Sequence, residues 1–372
     1  MQNSLRMSST PRKLSVMQPR NRRLDMAMVE RKNFLQSILN SIRGARWLIV
    51  LGGIFLLGLA FSLLSPAFLQ FRNLQNIIVQ ASVTGIMAVG MTFVIMTAGI
   101  DISVGGILYL TLVLATGLAL KMGTGGIFAG TIIYLIAILL GTILGLVNGL
   151  LINFVGINPL VVTLATLSVY RGLAIHINKA GITIPPESAR FLGIGKILGV
   201  PVPLLLAILV TFIGALILSR TRFGRYALAI GASSTSAYQS GLPVRPVLIA
   251  VYAIAGLCAG LAGLILMGRV GAVQTDMGIG IEFTVITAVV LGGTLLSGGR
   301  ASILGSLLGA ILLVMIDNGL NLMHASAFIY DIVRGSVLIG AVLIDRASAL
   351  ELFRNWFSLR NLKVSNQRKI ST

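Results

Sequence analysis

A succession of long apolar runs fills most of the 372 residues of this sequence and limits the folds that the chain can adopt. Each run approaches the roughly 20 residues that an α-helix needs to cross the hydrocarbon core of a bilayer. Only 10% of the residues are charged, whereas a soluble domain carries roughly a quarter, so this composition cannot build a water-facing surface. The sequence therefore predicts an all-α fold, a polytopic membrane helix bundle of about ten transmembrane helices. The predicted spans are 47–64, 76–98, 104–121, 126–149, 159–177, 203–219, 247–268, 280–296, 302–320 and 328–345.

The positions of Lys and Arg predict how the chain is oriented. The formal net charge is +19, and 20 of the 29 basic residues lie before Trp47, within Ser219–Pro246 or after Asp345. Cytoplasmic segments of membrane proteins carry such an excess of basic residues. Both termini and Ser219–Pro246 are therefore predicted to be cytoplasmic, which requires an even number of spans. No basic segment is long enough for a folded nucleic-acid-binding domain, so we expect no nucleic-acid partner.

This orientation divides the chain into three parts. Residues 1–46 and 346–372 are predicted to be basic cytoplasmic tails, the first of them largely disordered. Residues 47–345 form the transmembrane domain, in which 219–246 is a polar cytoplasmic segment and 178–202 is the largest loop on the opposite side. Anionic membrane lipid is an expected partner of Arg220, Arg222 and Arg225 in the segment 219–246, whereas the basic residues of the first tail are interpreted chiefly as setting the topology.

The residues of catalytic and metal sites are scarce. Cys258 is the single cysteine, and the two histidines, His176 and His324, are far apart in sequence, so we expect no disulfide, metal site or catalytic residue. The stretch LSGGR, Leu296–Arg300, resembles the signature of ABC ATPases. The phosphate-binding loop that works with that signature is missing from the sequence, so the glycines are interpreted as a short turn between two spans.

Polar residues inside apolar runs are the candidates for a translocation path or gate, because a carboxylate costs about 2.5–3.5 kcal/mol at the bilayer centre on insertion scales. Asp101 lies in MTAGIDISVGGI, whose glycines permit a broken helix. Either it acts as a gate or, with Ser103, it caps the helix that follows. Glu282 equally suits a helix N-terminus. The path or gate candidates are Asp101, Ser103, Thr163, Thr166, Glu282, Asn318 and Asn321.

Two further patterns have structural interpretations. Thr163, Thr166 and Ser168 form a hydroxyl stripe, which usually reflects helix packing or hydrogen bonds back to the carbonyls of the same helix. Asp331 and Arg334 are three residues apart, so they could pair on one helix face.

Five stretches, in order through the predicted spans, resemble one known family: the permease subunits of bacterial ABC importers for monosaccharides, of the ribose, xylose, arabinose and galactose type. The stretches are NIIVQASVTGIMAVGMTFVIMTAGIDISVGG, NPLVVTLATLSVYRGLA, SRTRFGRYALAIGAS with SGLPV after it, AVVLGGTLLSGGR, and DNGLNL with AVLID further on. The resemblance runs from about Leu63 to Asp345. It implies a fold like that of the vitamin B12 importer permease, and a pore-forming subunit of the bacterial inner membrane that is not itself an enzyme.

The resemblance also implies the partners and the cargo. A cytoplasmic ABC ATPase with two fused nucleotide-binding halves would hold ATP and Mg, so no cofactor is expected in this chain. A periplasmic sugar-binding protein would deliver the cargo, a monosaccharide or related polyol with ribose as the first guess. A second permease chain, identical or a sister, would complete the path.

By the same resemblance, Ser219–Pro246 is the coupling segment, in which a short helix near Ala232–Ser240 lies against a groove of the ATPase. The residues assigned to ATPase coupling are Arg222, Gly224, Arg225, Gly231, Ala232, Ser240 and Gly241. Family members commonly have Asn, paired Ala and Arg in this helix. Here Ser233, Thr235, Ser236 and Tyr238 are present instead, which favours a dedicated ATPase partner.

The alternative is a self-sufficient channel or secondary transporter for a small polar solute. It predicts transport by this chain alone, and a Ser219–Pro246 segment that tolerates disruption. Against it, the sequence has no chain of buried carboxylates or histidines of the kind that proton-driven pumps use.

Overall fold

The computed structural model describes residues 46–123, 126–179, 181–326 and 328–343. The predicted tails lie outside the described residues, apart from Arg46, which begins the first helix. The helices are α1 (Arg46–Leu64), α2 (Phe71–Ile95), α3 (Val104–Lys121), α4 (Gly126–Leu150), α5 (Pro159–Ile177), α6 (Phe191–Ile194), α7 (Val202–Arg220), α8 (Arg222–Ala232), α9 (Ser234–Gln239), α10 (Val244–Val270), α11 (Ile281–Leu291), α12 (Ile303–Leu322) and α13 (328–343). A π-helical turn, Leu151–Val155, follows α4, and a 3-10 turn, Glu187–Arg190, precedes α6. The strands are β1 (Ile182–Thr183), β2 (Lys196–Ile197), β3 (Val200–Pro201) and β4 (Val273–Gln274).

Eight of the described helices are long and apolar enough to cross a membrane, which confirms the predicted polytopic helical fold. They are α1 to α5, α7, α10 and α12. The two remaining predicted spans coincide with shorter helices: 280–296 with α11, and 328–345 with α13. The count of about ten spans stays a prediction.

Helix α11 is much shorter than the span predicted there, because glycines bound it at both ends. Gly280 precedes it with a φ of 71°, and Gly293 follows it with a φ of 93°. Its 11 residues extend about 16 Å, roughly half the thickness of a bilayer core. A Cβ at Gly105, in the first turn of α3, would overlap the carbonyl oxygen of Gly278. Helix α11 therefore starts beside the beginning of α3 and fills only part of the bundle's height.

Helix α2 lies at the centre of the bundle and α1 at its surface. Within an 18-residue apolar window of each helix, 83% of the residues of α2 are buried, compared with only 11% of those of α1. Helices α4 and α10 approach each other closely: a Cβ at Gly141 would overlap the carbonyl oxygen of Gly256, and one at Gly145 that of Tyr252. Small residues let two helix backbones approach this closely. Because lipid is as apolar as the helix side chains, membrane helices associate largely through van der Waals packing at such close contacts.

The two ends of the bundle carry different connections. Strand β1 pairs with β4, with Ile182 opposite Gln274 and Thr183 opposite Val273, so the connections 178–201 and 271–280 meet at one end, which we call the loop end. The opposite end carries α8 and α9 together with the link 96–103 and the turn 292–302, and we call it the segment end.

Candidate functional site

The polar stretch Ser219–Pro246 is built from two short helices, each started by a hydroxyl cap. The Thr221 side chain accepts a hydrogen bond from the Gly224 N–H at 3.2 Å and starts α8. The Ser233 hydroxyl accepts from the Ser236 N–H at 3.2 Å and starts α9. Such caps satisfy N–H groups that the first turn of a helix leaves without partners. A short helix is therefore present within Ala232–Ser240, where the sequence predicted one.

The coupling candidates fall into an exposed and a buried group. Gly224 and Gly231 are buried, whereas the other candidates are exposed: Arg222, Arg225, Ala232, Ser240 and Gly241. On α9 only Ala237 is buried, and the Tyr238 side chain projects outward with 76% of its surface exposed. The segment thus presents an ordered, mostly exposed surface and is fixed to the bundle through small buried residues.

Gly231 belongs to a three-way backbone contact, which we call the glycine junction, formed by Gly231, Gly298, Gly299 and Met96. The Gly299 N–H donates a hydrogen bond of 2.9 Å to the Met96 carbonyl oxygen. A Cβ at Gly231 would overlap that carbonyl oxygen, and one at Gly298 would lie 2.7 Å from the carbonyl oxygen of Gly231. The LSGGR stretch is therefore a turn, as predicted, and the turn contacts both α8 and the end of α2.

Asp101 lies in the link 96–103 and is completely buried, as is Ser103. Its Oδ1 accepts hydrogen bonds from the Ser103 N–H at 2.9 Å and the Ser103 hydroxyl at 2.6 Å. The Asn148 amide donates to the Ser103 oxygen at 2.7 Å, and the Tyr170 hydroxyl donates to Asn148 Oδ1 at 3.2 Å. This network ties the link to α4 and α5. Ser103 occupies the N-cap position of α3, but its side chain caps no N–H of that helix.

The remaining buried candidates bond or pack locally. The hydroxyls of Thr163, Thr166 and Ser168 donate to carbonyl oxygens of their own helix at 2.9, 3.0 and 3.2 Å, which confirms the back-bonding interpretation of the stripe. Glu282 lies in the first turn of α11, with 6% of its surface exposed and beside Gly105. Its Oε2 is buried and has no hydrogen-bond partner within the described residues.

The two asparagines of α12 are in different environments. Asn318 exchanges two amide hydrogen bonds of 2.8 Å with Asn73, which joins the loop-end halves of α12 and α2. Asn321 is exposed. No sequence pattern predicts the pairing of Asn318 with Asn73, because the two residues are 245 positions apart.

The principal ion pair of α13 differs from the one suggested by spacing. Arg334 donates two hydrogen bonds to Asp317 on α12, from Nε at 3.2 Å and from Nη2 at 2.6 Å. Its contact with Asp331 is only a 3.8 Å approach, and the Asp331 side chain is 85% exposed. Arg334 therefore links two helices.

A polar cleft of about 210 Å³ opens between α2, α10, α11, α12 and α13. Its polar lining consists of Gln80, Thr84, Arg269, Thr284, Asp317 and Arg334. None of the seven path candidates from the sequence lines it. The sequence contains one signal for this cleft, which is that Gln80 and Arg269 interrupt apolar runs. Their spacing does not show that both residues line the same cleft.

The polar residues that line the cleft carry charged and hydrogen-bonding groups, which are the groups that bind polar solutes. Within the described ranges, no group of three or more His, Cys, Asp or Glu could hold a metal ion. Cys258 is buried, with 3% of its surface exposed.

Comparison with known proteins finds related sequences along most of the chain. Residues 73–342 match the family described as branched-chain amino acid transport system / permease component. The ribose import permease protein of Bacillus subtilis is 40% identical over 79% of this chain and 91% of its own length. The D-allose transport system permease protein of Escherichia coli is 35% identical over 77% and 87%. The L-arabinose ABC transporter permease protein of Azospirillum brasilense is 35% identical over 82% and 90%. No solved structure matches the chain.

Proposed function

The chain belongs to the family of branched-chain amino acid transport system permease components, and from this premise we propose that it is the membrane subunit of an ATP-driven importer for a monosaccharide. The family description mentions amino acids, but the relatives that cover most of the chain are named for ribose, allose and arabinose. That agreement among three sugar permeases is the observation that carries the proposal. Ribose is the first cargo to test, because the ribose permease of Bacillus subtilis shares 40% of the aligned residues.

In this proposal, energy enters at the segment end through α8 and α9. An ABC ATPase with two fused nucleotide-binding halves, which carry the ATP and Mg, docks on the exposed face of α9. The protruding Tyr238 supports this role, because aromatic side chains that fill pockets dominate the energetics of many interfaces. The serines and threonine around it are small, so a groove could approach the backbone of α9 closely.

The glycine junction provides the route from the docked ATPase into the bundle. Helix α8 ends at Ala232, and the adjacent Gly231 contacts Met96 and Gly299 through backbone atoms. A displacement of α8 would move the link 96–103 and the turn 292–302 together, because no flexible side chain lies between these backbones to absorb it.

The rest of the assembly follows from the same proposal. The segment end faces the cytoplasm of a bacterial cell, and the loop end faces the periplasm, where a sugar-binding protein delivers the cargo. A second permease chain, identical or a sister, completes the path across the inner membrane.

Mild-detergent purification of the tagged chain from its own membranes, followed by mass spectrometry, tests the proposal. We expect an ATPase with two nucleotide-binding halves to co-purify, and Tyr238→Arg to abolish its capture without lowering the yield of folded permease. Leu198→Arg is the matched control, because Leu198 is a fully exposed apolar residue at the loop end. A chain that purifies alone after gentle crosslinking and transports sugar in liposomes without any ATPase would refute the proposal.

A further inference from the structure

We propose that the polar cleft is a station where a monosaccharide is held by its hydroxyls during passage, with Thr84, Thr284 and Arg269 as its direct contacts. The inference rests on the proposed function and deepens it, since it assigns cargo contacts to residues that the sequence did not mark.

The first observation is unused hydrogen-bonding capacity that converges on one space. Thr84 and Thr284 each expose only 6% of their surface and line the cleft, yet neither hydroxyl has a partner among the described residues. Three other helical threonine hydroxyls donate to their own helix, Thr92 at 2.6 Å, Thr166 at 3.0 Å and Thr287 at 2.7 Å, whereas that of Thr211, outside the cleft, has no partner among the described residues. Neither hydroxyl oxygen of Thr84 and Thr284 is enclosed by protein, so both are accessible from the cleft and are free to bond a solute or water there.

The second observation is an uncommitted guanidinium. Arg269 lines the cleft and is partly buried. Within the described part of the chain, its side chain forms no ion pair and no hydrogen bond. The nearby carboxylate of Asp317 is already engaged by two nitrogens of Arg334. Arg269 therefore offers uncommitted donors to the cleft, beside two threonine hydroxyls that can both donate and accept. A neutral sugar can use both kinds of group, because each of its hydroxyls donates and accepts hydrogen bonds and two adjacent ones match the fork of a guanidinium.

The size and position of the cleft fit a cargo that stays only briefly. At about 210 Å³ it is smaller than the roughly 300–1,000 Å³ of sites for drug-sized ligands, and this size suits a small solute of the monosaccharide class. Among the described residues that line it, none is an aromatic residue on which a sugar ring could stack. Gly278, Ile279 and Ile281 contribute to its lining, so the cleft opens where the short helix α11 begins. Weak binding at such a point allows the release that transport requires.

Uptake of labelled D-ribose by the complete importer, reconstituted with its ATPase and binding protein, provides the first test. We expect Thr84→Val and Thr284→Val to slow uptake about two- to tenfold each, which is the effect of one lost hydrogen bond, without changing the melting temperature. Thr287→Val is the matched control, because Thr287 lies one turn along the same helix and bonds the Phe283 carbonyl oxygen. A double valine variant that takes up ribose as fast as the control would overturn the inference.

Arg269 tests whether the cleft holds a neutral sugar or an anion. Arg269→Lys keeps the charge but removes the fork, so we expect ribose uptake to fall about threefold or more. Full uptake with lysine combined with loss in Arg269→Gln would show that the cleft recognises negative charge, and the assignment to a neutral sugar would be wrong.

Cysteine labelling tests binding independently of transport. Background labelling of the wild-type protein should be low, because its only cysteine, Cys258, is buried. A membrane-impermeant thiol reagent added from the loop side should label Thr284→Cys but not Thr287→Cys, and millimolar ribose should slow that labelling. Labelling that ribose, arabinose and allose all leave unchanged would overturn the inference. If wild-type protein also fails to move these sugars, the proposed function itself falls. If wild-type protein transports them, only the cleft assignment fails.

Discussion

The N–H of Gly299 donates a 2.9 Å hydrogen bond to the carbonyl oxygen of Met96, and this bond joins the turn after α11 to the end of the central helix α2. Gly231, at the end of α8, packs against the same two residues. The segment Ser219–Pro246, the link that carries Asp101 and the turn that leads to α12 are therefore joined by direct backbone contacts. Three consequences of this and other contacts can be measured.

Gly231→Ala should disrupt the glycine junction, because the added Cβ would overlap the Met96 carbonyl oxygen and lie 2.7 Å from the Gly299 nitrogen. Both are backbone atoms, which cannot rotate away. Overpacking of this kind typically costs about 1–3 kcal/mol, so we expect a lower melting temperature in detergent and reduced ATP-driven uptake. Gly172→Ala on α5 is the control, because no atom lies within 4 Å of the position of its Cβ. A Gly231→Ala protein as stable and active as Gly172→Ala would show that the junction is not tightly packed.

Asn148→Leu should loosen the link 96–103. The change removes the donor to Ser103 and the acceptor for Tyr170, and it leaves buried polar groups with fewer partners, at about 1–3 kcal/mol each. The Tyr170 hydroxyl keeps a hydrogen bond of 3.2 Å to the Leu144 carbonyl oxygen, so most of the loss should fall on Ser103 and Asp101. Hydrogen exchange should therefore rise mainly in 96–103. Faster exchange confined to α4 itself would contradict this expectation. Ser168→Ala, at an exposed position, is the control.

Asp317→Asn should destabilise the packing of α13 on α12, whereas Asp331→Asn should have little effect. Asp317 accepts two hydrogen bonds from Arg334, and hydrogen bonds to charged groups contribute about 1.5–3 kcal/mol. Asp331 approaches Arg334 only to 3.8 Å and its side chain is 85% exposed, and exposed ion pairs contribute about 0–1 kcal/mol. Melting temperatures of the two variants in detergent compare them directly. Equal losses, or a larger loss for Asp331→Asn, would mean that spacing within α13 decides the pairing of Arg334.

Several local features could be predicted from the sequence because they depend on neighbouring residues. The short helix within Ala232–Ser240 needs only a hydroxyl cap at Ser233 and a stop at Gly241, whose φ is 74°. The hydroxyl stripe of α5 satisfies itself within one turn, so Thr163 and Thr166 bond as their spacing indicated. The predicted span 280–296 was too long, because a hydropathy run does not show that Gly280 and Gly293 adopt positive φ and end the helix.

The apolar runs alone establish that this chain is a bundle of membrane helices, since such runs have no other low-energy environment than lipid and one another. The polar segment between α7 and α10 can likewise be located along the sequence, because it interrupts the apolar runs. In contrast, the packing of the helices sets which polar groups lie around the same cleft. Gln80, Thr84, Arg269, Thr284 and Asp317 come from four helices, and they meet because the packing of those helices and the short length of α11 leave a cleft between them. Periodicity reports which face of one helix is polar, but the relative rotation of several helices depends on contacts such as Gly141 with Gly256, which are far apart in sequence.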